Sequence, residues 1–295
     1  MMMTQTPSPG GDSFSYPVLR QPSLRALGKA AKWCDVFWQN NLSLRTIWPA
    51  WPLRKPIVIT HQGSYCRRPS GLDLVQRLKH AIIGRTTSIA ISEAVAACFA
   101  FDSTVIHNPY DARRFTFDLS SEERSADLIF VGRLVSEKGI DILLKAVAIL
   151  RTRRLFPCLT IVGAGPELTD MEQLASTLGL NDQVKFAGAK RGSELITLLR
   201  RHKILVVPSR YNEPFGVVAL EGIASKGGGL PEAIEPCGLT FQNGDVNALA
   251  QALETLLLLP NDRARLLAQA PRHLAKFHPA TIAEAYLGLF RSKLA

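Results

Sequence analysis

Long apolar runs are missing from these 295 residues: the longest candidate, over 89–101, is broken by Glu93 and falls short of the roughly 18 residues that a bilayer crossing needs. No membrane-spanning helix is expected, and any membrane contact would be peripheral. The N-terminus lacks a charged-then-apolar pattern, so no secretory leader is expected. Cysteine is sparse. Cys34, Cys66, Cys98, Cys158 and Cys237 are scattered, odd in number and without C-x-x-C spacing, which argues against a disulfide frame and a zinc site and favours the cytoplasm. No Ser/His/Asp or Cys/His nucleophile spacing and no cluster of metal ligands is recognisable, so no metal is expected. Acidic residues are scarce in the first part of the chain. Up to Thr116 there are 6 Asp/Glu against 14 Lys/Arg, and beyond it 19 against 21, which places most of the net charge of +10 early. A basic surplus suits nucleic acid, an anionic membrane face or a phosphorylated substrate, and charge alone does not choose among them. Without a basic recognition helix or an aromatic stacking motif, nucleic acid is not expected as a partner.

What is present is enough for a large core: 46% of residues are hydrophobic, and the length suits two domains. Residues 1–16 carry Pro7, Pro9, Gly10 and Gly11 among Ser and Thr and read as a disordered lead. Ser23 reads as the N-cap of a short basic helix through Lys32. Strands are then expected over 35–38, 56–60, 88–91 and 104–106, with helices over 44–48, 72–84 and, capped by Ser92, 93–99. After a polar linker over 111–127 the alternation restarts more clearly. Strands are expected over 128–132, 159–163, 184–188 and 204–207, separated by amphipathic helices such as 140–150 and 193–200. A short strand over 238–241, a helix capped by Asp245 and running to 259, and a last helix over 281–294 complete the pattern. This α/β alternation predicts parallel sheets covered on both faces, the second of Rossmann type. Expected boundaries are 1–16 for the lead, 17–118 and 119–277 for two Rossmann-like domains, and 278–295 for a C-terminal helix. No internal repeat is visible.

The most informative stretch is Glu213-Pro214-Phe215-Gly216-Val217-Val218-Ala219-Leu220-Glu221, read as a helix opening directly after the strand that ends at Val207-Pro208-Ser209. Such a turn presents unpaired backbone N–H groups at the carboxyl edge of a sheet, a seat for phosphate. The carboxylates of Glu213 and Glu221, two helical turns apart, suit a polyhydroxylated ligand because an ionised carboxylate accepts from neighbouring hydroxyls. Arg133 and Lys138, in Gly132-Arg133-Leu134-Val135-Ser136-Glu137-Lys138-Gly139, follow another strand at the same edge and can neutralise a diphosphate, the arginine by forked bonds and the lysine as a point charge. A solvated helix start is the plain alternative. Gly163-Ala164-Gly165-Pro166-Glu167 is half a dinucleotide fingerprint without its third glycine, and a tight turn explains it better. Gly227-Gly228-Gly229-Leu230-Pro231-Glu232 can bring backbone N–H groups near a phosphate or sugar, or can be a flexible connection. His61 stands at a strand end where it can reach a cleft, although a lone histidine is more often structural. His107 is assigned no role.

Together these pieces resemble the retaining glycosyltransferases of the GT-B fold in family 4. The match rests on Phe130-Val131-Gly132-Arg133-Leu134 with Glu137-Lys138-Gly139, Ile161 to Pro166, Val207-Pro208-Ser209, Glu213-Pro214-Phe215-Gly216 through Glu221, and Gly228 to Glu232. The resemblance implies two Rossmann-like domains facing a cleft, a UDP- or GDP-sugar donor bound mainly by the second domain, no cofactor, and a saccharide or lipid-linked acceptor bound by the first. It implies that Arg133 and Lys138 hold the diphosphate, that Glu213 contacts donor-sugar hydroxyls, that Glu221 holds the ribose, and that Phe215, Gly216 and Val217 offer backbone contacts, with Gly132 and Ser209 also lining the donor site. His61 becomes a cleft residue near the sugar. The reaction would retain anomeric configuration, in polysaccharide or glycolipid synthesis at the inner face of the cell membrane, with peripheral contact to anionic lipid.

Two departures from the family pattern are expected to matter. The usual first strand with its glycine-rich loop is missing ahead of residues 35–60, so the first domain reads as incomplete and the chain as truncated. After Ala224 the pattern continues with a buried apolar strand, whereas this chain passes to Ser225-Lys226-Gly227, about seven residues short. The second sheet is therefore expected to lose an interior strand, weakening donor binding. A non-catalytic GT-B-like protein that binds a sugar nucleotide or a partner is the alternative function. A nicotinamide dehydrogenase is disfavoured by the incomplete glycine fingerprint.

Overall fold

The computed structural model of the protein describes residues 1–7, 14–63, 74–99, 101–113, 124–215 and 222–294. Among these, the chain divides into two compact units: Met1–Ile91, Ala96–Val105 and Tyr286–Ala295 form the first, and Ser92–Val95 with Ile106–Ala285 form the second. The expected contiguous domains are thus interleaved, since residues 92–95 fold with the second unit and the end of the last helix with the first.

In the first unit the order is β1 (Met2–Thr4), β2 (Val18–Arg20), α1 (Leu24–Trp33), β3 (Phe37–Asn40), α2 (Leu44–Ile47), β4 (Ile57–His61), α3 (Leu74–Ile83), β5 (Thr87–Ala90) and β6 (Thr104–Val105); between the last two the chain forms α4 (Glu93–Ala96), whose residues 93–95 belong to the second unit. Residues 2–4 are not part of a disordered lead: β1 pairs in parallel with β2. The four remaining strands form one parallel sheet in the order β3-β4-β5-β6. Ser23 caps α1, its Oγ accepting from Ala26 N at 3.2 Å, as its residue type favours. The core of this unit gathers Ala31, Leu42, Ile47, Ala50, Ile57, Ile59 and Ile83. β4 is buried along its whole length, the signature of a central parallel strand.

The second unit runs β7 (Ala126–Val131), α5 (Ile140–Thr152), β8 (Leu159–Val162), α6 (Leu168–Thr177), β9 (Val184–Gly188), α7 (Gly192–Arg201), β10 (His202–Val207), β11 (Gly222–Ser225), α8 (Leu230–Ile234), β12 (Leu239–Phe241), α9 (Val246–Leu258), α10 (Pro260–Leu267), α11 (Ala270–Lys276) and α12 (Pro279–Ser292). Its sheet is parallel, in the order β12-β11-β10-β7-β8-β9. One face packs Leu128, Phe130 and Ile161 on the buried side of α5 and on α9. The other sets Ile129, Val162 and Leu205 against Leu195, Leu198 and Leu199 of α7. Burial on both faces explains the nearly continuous apolar reading of these strands.

The expected loss of an interior strand is not what the chain does. β11, built from the Gly222-Ile223-Ala224-Ser225 that the sequence pattern placed ahead of the missing strand, lies between β10 and β12, with Leu205 opposite Gly222 and Ile223 opposite Leu239. Parallel pairing on two sides outweighs the weak local preference of four residues, and the sheet keeps its member. Although no disulfide frame was expected, Cys98 is disulfide-bonded, while Cys34, Cys158 and Cys237 are free. No helix among the described residues is long and apolar enough to cross a membrane.

Candidate active site

β7 and β10 are neighbours although β8 and β9 separate them in sequence. From β7 the chain moves outward to one side, and from β10 to the other. A crevice outside the carboxyl ends of two such strands is where open α/β sheets bind ligands. The segments that leave these ends are 132–139 and 208–215, which carry most of the residues singled out by the sequence.

The two segments are fastened to one another. Arg210 N and Tyr211 N both donate to Glu137 O, at 2.9 and 3.3 Å. The Arg210 guanidinium donates to Ser136 O at 3.1 Å and to Asp141 Oδ2 at 2.6 Å. Burial pushes the Asp141 carboxyl up, but the bonds from Arg210 and Lys145 outweigh it and hold it below its ordinary value. Gly139, at φ +68°, closes the turn Ser136–Lys138, and a methyl group there would overlap the carbonyl oxygen of Pro208. Only glycine fits this approach.

Within that frame Lys138 Nζ and Glu213 Oε1 form an ion pair, with side chains 24% and 14% exposed. Ser209 Oγ donates to the same Oε1 at 2.7 Å, and the buried Ser225 Oγ donates to Ser209 O at 2.6 Å. Both bonds to Glu213 use one oxygen; among the described residues Oε2 accepts none. Arg133 is exposed beside Gly132; its carbonyl accepts from Val135 N at 3.1 Å, and its guanidinium makes no hydrogen bond or ion pair among the described residues. The pair and an unengaged carboxylate oxygen therefore stand at the reversal point of the sheet, and the segment that carries Lys138 also carries an uncommitted guanidinium.

Two glycine loops brace this constellation. At Gly163 and Gly165 an added methyl group would overlap backbone atoms of Gly132 and Leu134. Leu134 N donates to Ala164 O at 3.0 Å, and Glu167 Oε1 accepts from Ser136 N at 2.7 Å. The half fingerprint is a brace for the 132–138 segment. Gly228 lies in a bridge with Glu213, and Gly229 N donates to Glu213 O at 2.7 Å, so this loop is packed on the Glu213 turn and is no loose connection. Ser92 Oγ donates to Pro214 O at 2.6 Å.

The Phe215 ring is buried and meets His107 and Phe277 at ring separations of 5.2 Å. His107 Nε2 lies 3.1 Å from Glu232 Oε2, and the Glu232 carboxylate also accepts from Glu93 N and Ala94 N at 3.0 and 3.2 Å. Burial raises this carboxyl, but His107 and the two N–H groups hold it below its ordinary value. Ser225, Ser92 and His107 carry no sequence signal for these roles, because each acts through a partner more than a dozen residues away.

His61 belongs to the first unit, at the end of β4, and is wholly buried. Its ring lies 4.5 Å from that of Phe99 and 6.3 Å from that of Phe101, and Nε2 is 3.4 Å from Ser88 Oγ. Burial lowers its pKa to about 4, so it is neutral at physiological pH, as a core histidine is. Gly216, Val217 and Glu221 lie outside the described residues. Among the described residues no group of three His, Cys, Asp or Glu side chains is placed to hold a metal.

Two Rossmann-like units with this site define the class of GT-B glycosyltransferases. The chain belongs to the family of glycosyl transferases group 1, whose model matches residues 111–273, more than half of it. It is 37% identical over 177 residues to the D-inositol 3-phosphate glycosyltransferase of Corynebacterium jeikeium (strain K411), covering 55% of this chain and 42% of that protein. The chain thus matches less than half the length of such curated relatives. Among solved structures, Anabaena Alr3699/HepE in complex with UDP superposes with a TM-score of 0.78 at 21% identity, over 94% of this chain and 86% of that one. Sucrose-phosphate synthase (tll1590) from Thermosynechococcus elongatus gives 0.73 at 22% identity, over 99% and 88%.

Proposed function

We propose that the chain transfers a sugar from a UDP- or GDP-sugar to a saccharide or lipid-linked acceptor with retention of configuration. The observation that carries the proposal is the Lys138–Glu213–Ser209 cluster at the point where strand order reverses between β7 and β10. In this reading the donor's pyrophosphate lies over the 132–138 segment, where Arg133 grips it by forked bonds and Lys138 supplies a point charge. Glu213 Oε2 accepts from hydroxyls of the donor sugar, while Oε1 stays committed to Lys138 and Ser209. Glu221 holds the ribose, and Phe215, Gly216 and Val217 contribute backbone contacts, with the Phe215 side chain serving as the buried anchor of their turn.

Negative charge grows on the leaving diphosphate as the glycosidic bond breaks. Lys138, held by Glu213, and Arg133 meet it with positive charge, which lowers the barrier. The diphosphate departs on the face that the acceptor attacks, which preserves the anomeric configuration. Transfer is proposed to serve polysaccharide or glycolipid synthesis at the inner face of the cell membrane. His61, enclosed in its own unit, is given no contact with the donor.

The relatives support this donor class: Anabaena Alr3699/HepE was solved with UDP, with UDP and glucose, and with UDP-glucose. The test is transfer itself. Purified chain is incubated with UDP- or GDP-glucose and a panel of saccharide, inositol phosphate and polyprenyl-linked acceptors, and the product anomer is assigned by proton NMR. A product of the donor's own anomeric configuration supports the proposal; an inverted product overturns the retaining step, and absence of transfer with intact donor binding favours the non-catalytic alternative.

A further inference from the structure

The first unit carries an exposed stripe that the glycosyltransferase site does not use. After α2 the chain continues through hydrogen bonds from Ala50 N to Ile47 O (2.9 Å) and from Leu53 N to Ala50 O (3.1 Å), ending in a 3₁₀ turn at Trp51–Leu53. Three residues per turn bring every third side chain onto one line. One line is Ile47, Ala50 and Leu53, all packed in the core of the unit. Arg45, Trp48 and Trp51 follow another line, and Arg54, left-handed at φ +51°, closes the turn beyond it; all four are exposed, the tryptophans by 56% and 42%. Neither arginine makes an ion pair or hydrogen bond among the described residues. From Val36 to Leu72 the sequence holds no Asp or Glu at all.

We propose that this Arg-Trp-Trp-Arg stripe docks the first unit on an anionic lipid bilayer, the tryptophans entering the headgroup layer and the arginines meeting lipid phosphates. The buried opposite face holds both tryptophans on the exposed side of the turn. An indole has an apolar body and one polar N–H, which suits it to the membrane–water boundary. Flanking cations with no acidic neighbour in sequence fit a surface of negative charge. An acidic protein partner would satisfy the arginines but would have to supply apolar cover for both rings, whereas a bilayer offers both at once. The inference rests on the proposed function only in that a lipid-linked acceptor would give docking a purpose.

The test uses the full chain, sedimented with phosphatidylcholine vesicles alone or containing phosphatidylglycerol, and with soluble polyglutamate as a competing polyanion. Binding is expected to the anionic vesicles and not to the neutral ones. It should weaken about 30-fold in Arg45→Gln/Arg54→Gln, from two charges at such a surface, and roughly tenfold in Trp48→Ala/Trp51→Ala. Brominated lipid should quench tryptophan fluorescence in the natural chain and in Trp33→Phe, but much less in Trp48→Phe/Trp51→Phe. Unchanged circular dichroism confirms that the variants fold, and nucleotide affinity should stay as in the natural chain. No binding to anionic vesicles, binding indifferent to all four substitutions, or equal capture by polyglutamate without quenching would overturn the proposal. Vesicle binding needs no donor, so its failure is separate from a failure of transfer.

Discussion

Removing Lys138 should cost more than a surface charge is worth and should reveal how tightly Glu213 depends on it. The pair is mostly shielded, at 24% and 14% exposed, so it falls between exposed pairs worth up to about 1 kcal/mol and buried pairs whose breaking costs about 3–5 kcal/mol. Lys138→Met leaves the carboxylate with Ser209 Oγ as its one remaining donor among the described residues; a loss of about 2 kcal/mol is expected. Glu213→Gln keeps an oxygen for both donors and should cost about 1 kcal/mol. Because each change removes the same interaction, the double variant should lose about 2 kcal/mol, giving a coupling of about 1 kcal/mol. Urea unfolding followed by circular dichroism measures this. Tryptophan fluorescence is the control, since Trp33, Trp38, Trp48 and Trp51 all lie in the first unit. Additive losses, with the double variant down by about 3 kcal/mol, would refute the pairing.

Other expectations follow from single contacts. Gly139→Ala places a methyl group at φ +68° against Pro208 O and should destabilise by about 2–4 kcal/mol, while weakening nucleotide binding because Lys138 and Ser209 are pushed apart; thermal melts and UDP titration read both. His61 ordinarily titrates near 6.5 and in the fold near 4, so below pH 6.5 the unfolded chain takes up a proton that the folded chain refuses. Stability of the first unit should be intact above that pH and fall by up to about 3 kcal/mol as pH drops to 4; urea midpoints by tryptophan fluorescence should show the slope, and His61→Phe should flatten it. Glu232→Ala strands the N–H groups of Glu93 and Ala94 and should cost about 2 kcal/mol; an unchanged melting temperature would mean that these bonds contribute nothing.

Much of this architecture was legible before any coordinates. Apart from β1, β2 and β11, the strands of both units appear in the sequence as short apolar runs, and their bounds differ from expectation by a few residues, as at Phe37–Asn40 against 35–38. Caps were legible too: Asp245 accepts from Ala248 N at 2.9 Å, as its position before an amphipathic run implies. β11 was not, because Gly-Ile-Ala-Ser carries no alternation and becomes a strand only through pairing on two sides. The same gap concealed that the second sheet keeps its strand, filled by residues that the sequence pattern placed directly after Glu221. The disulfide at Cys98 was not legible either, because five scattered cysteines carry no spacing signature in sequence. In the site, Arg133, Lys138 and Glu213 could be picked out because charge after an apolar strand is conspicuous. Their supports could not, since Ser225, Ser92 and His107 are ordinary residues until the fold gives them partners. His61 shows the converse, a residue conspicuous in sequence that the fold encloses among aromatic rings.

The most direct test of the central claim is calorimetric titration of the full chain with UDP, GDP and the corresponding glucose nucleotides, in the natural protein and in Arg133→Ala. Saturable binding of a nucleotide diphosphate, weakened roughly tenfold or more when the guanidinium is removed, is what a donor site at the β7–β10 reversal predicts. No binding of any of the four, or binding indifferent to Arg133, would contradict it.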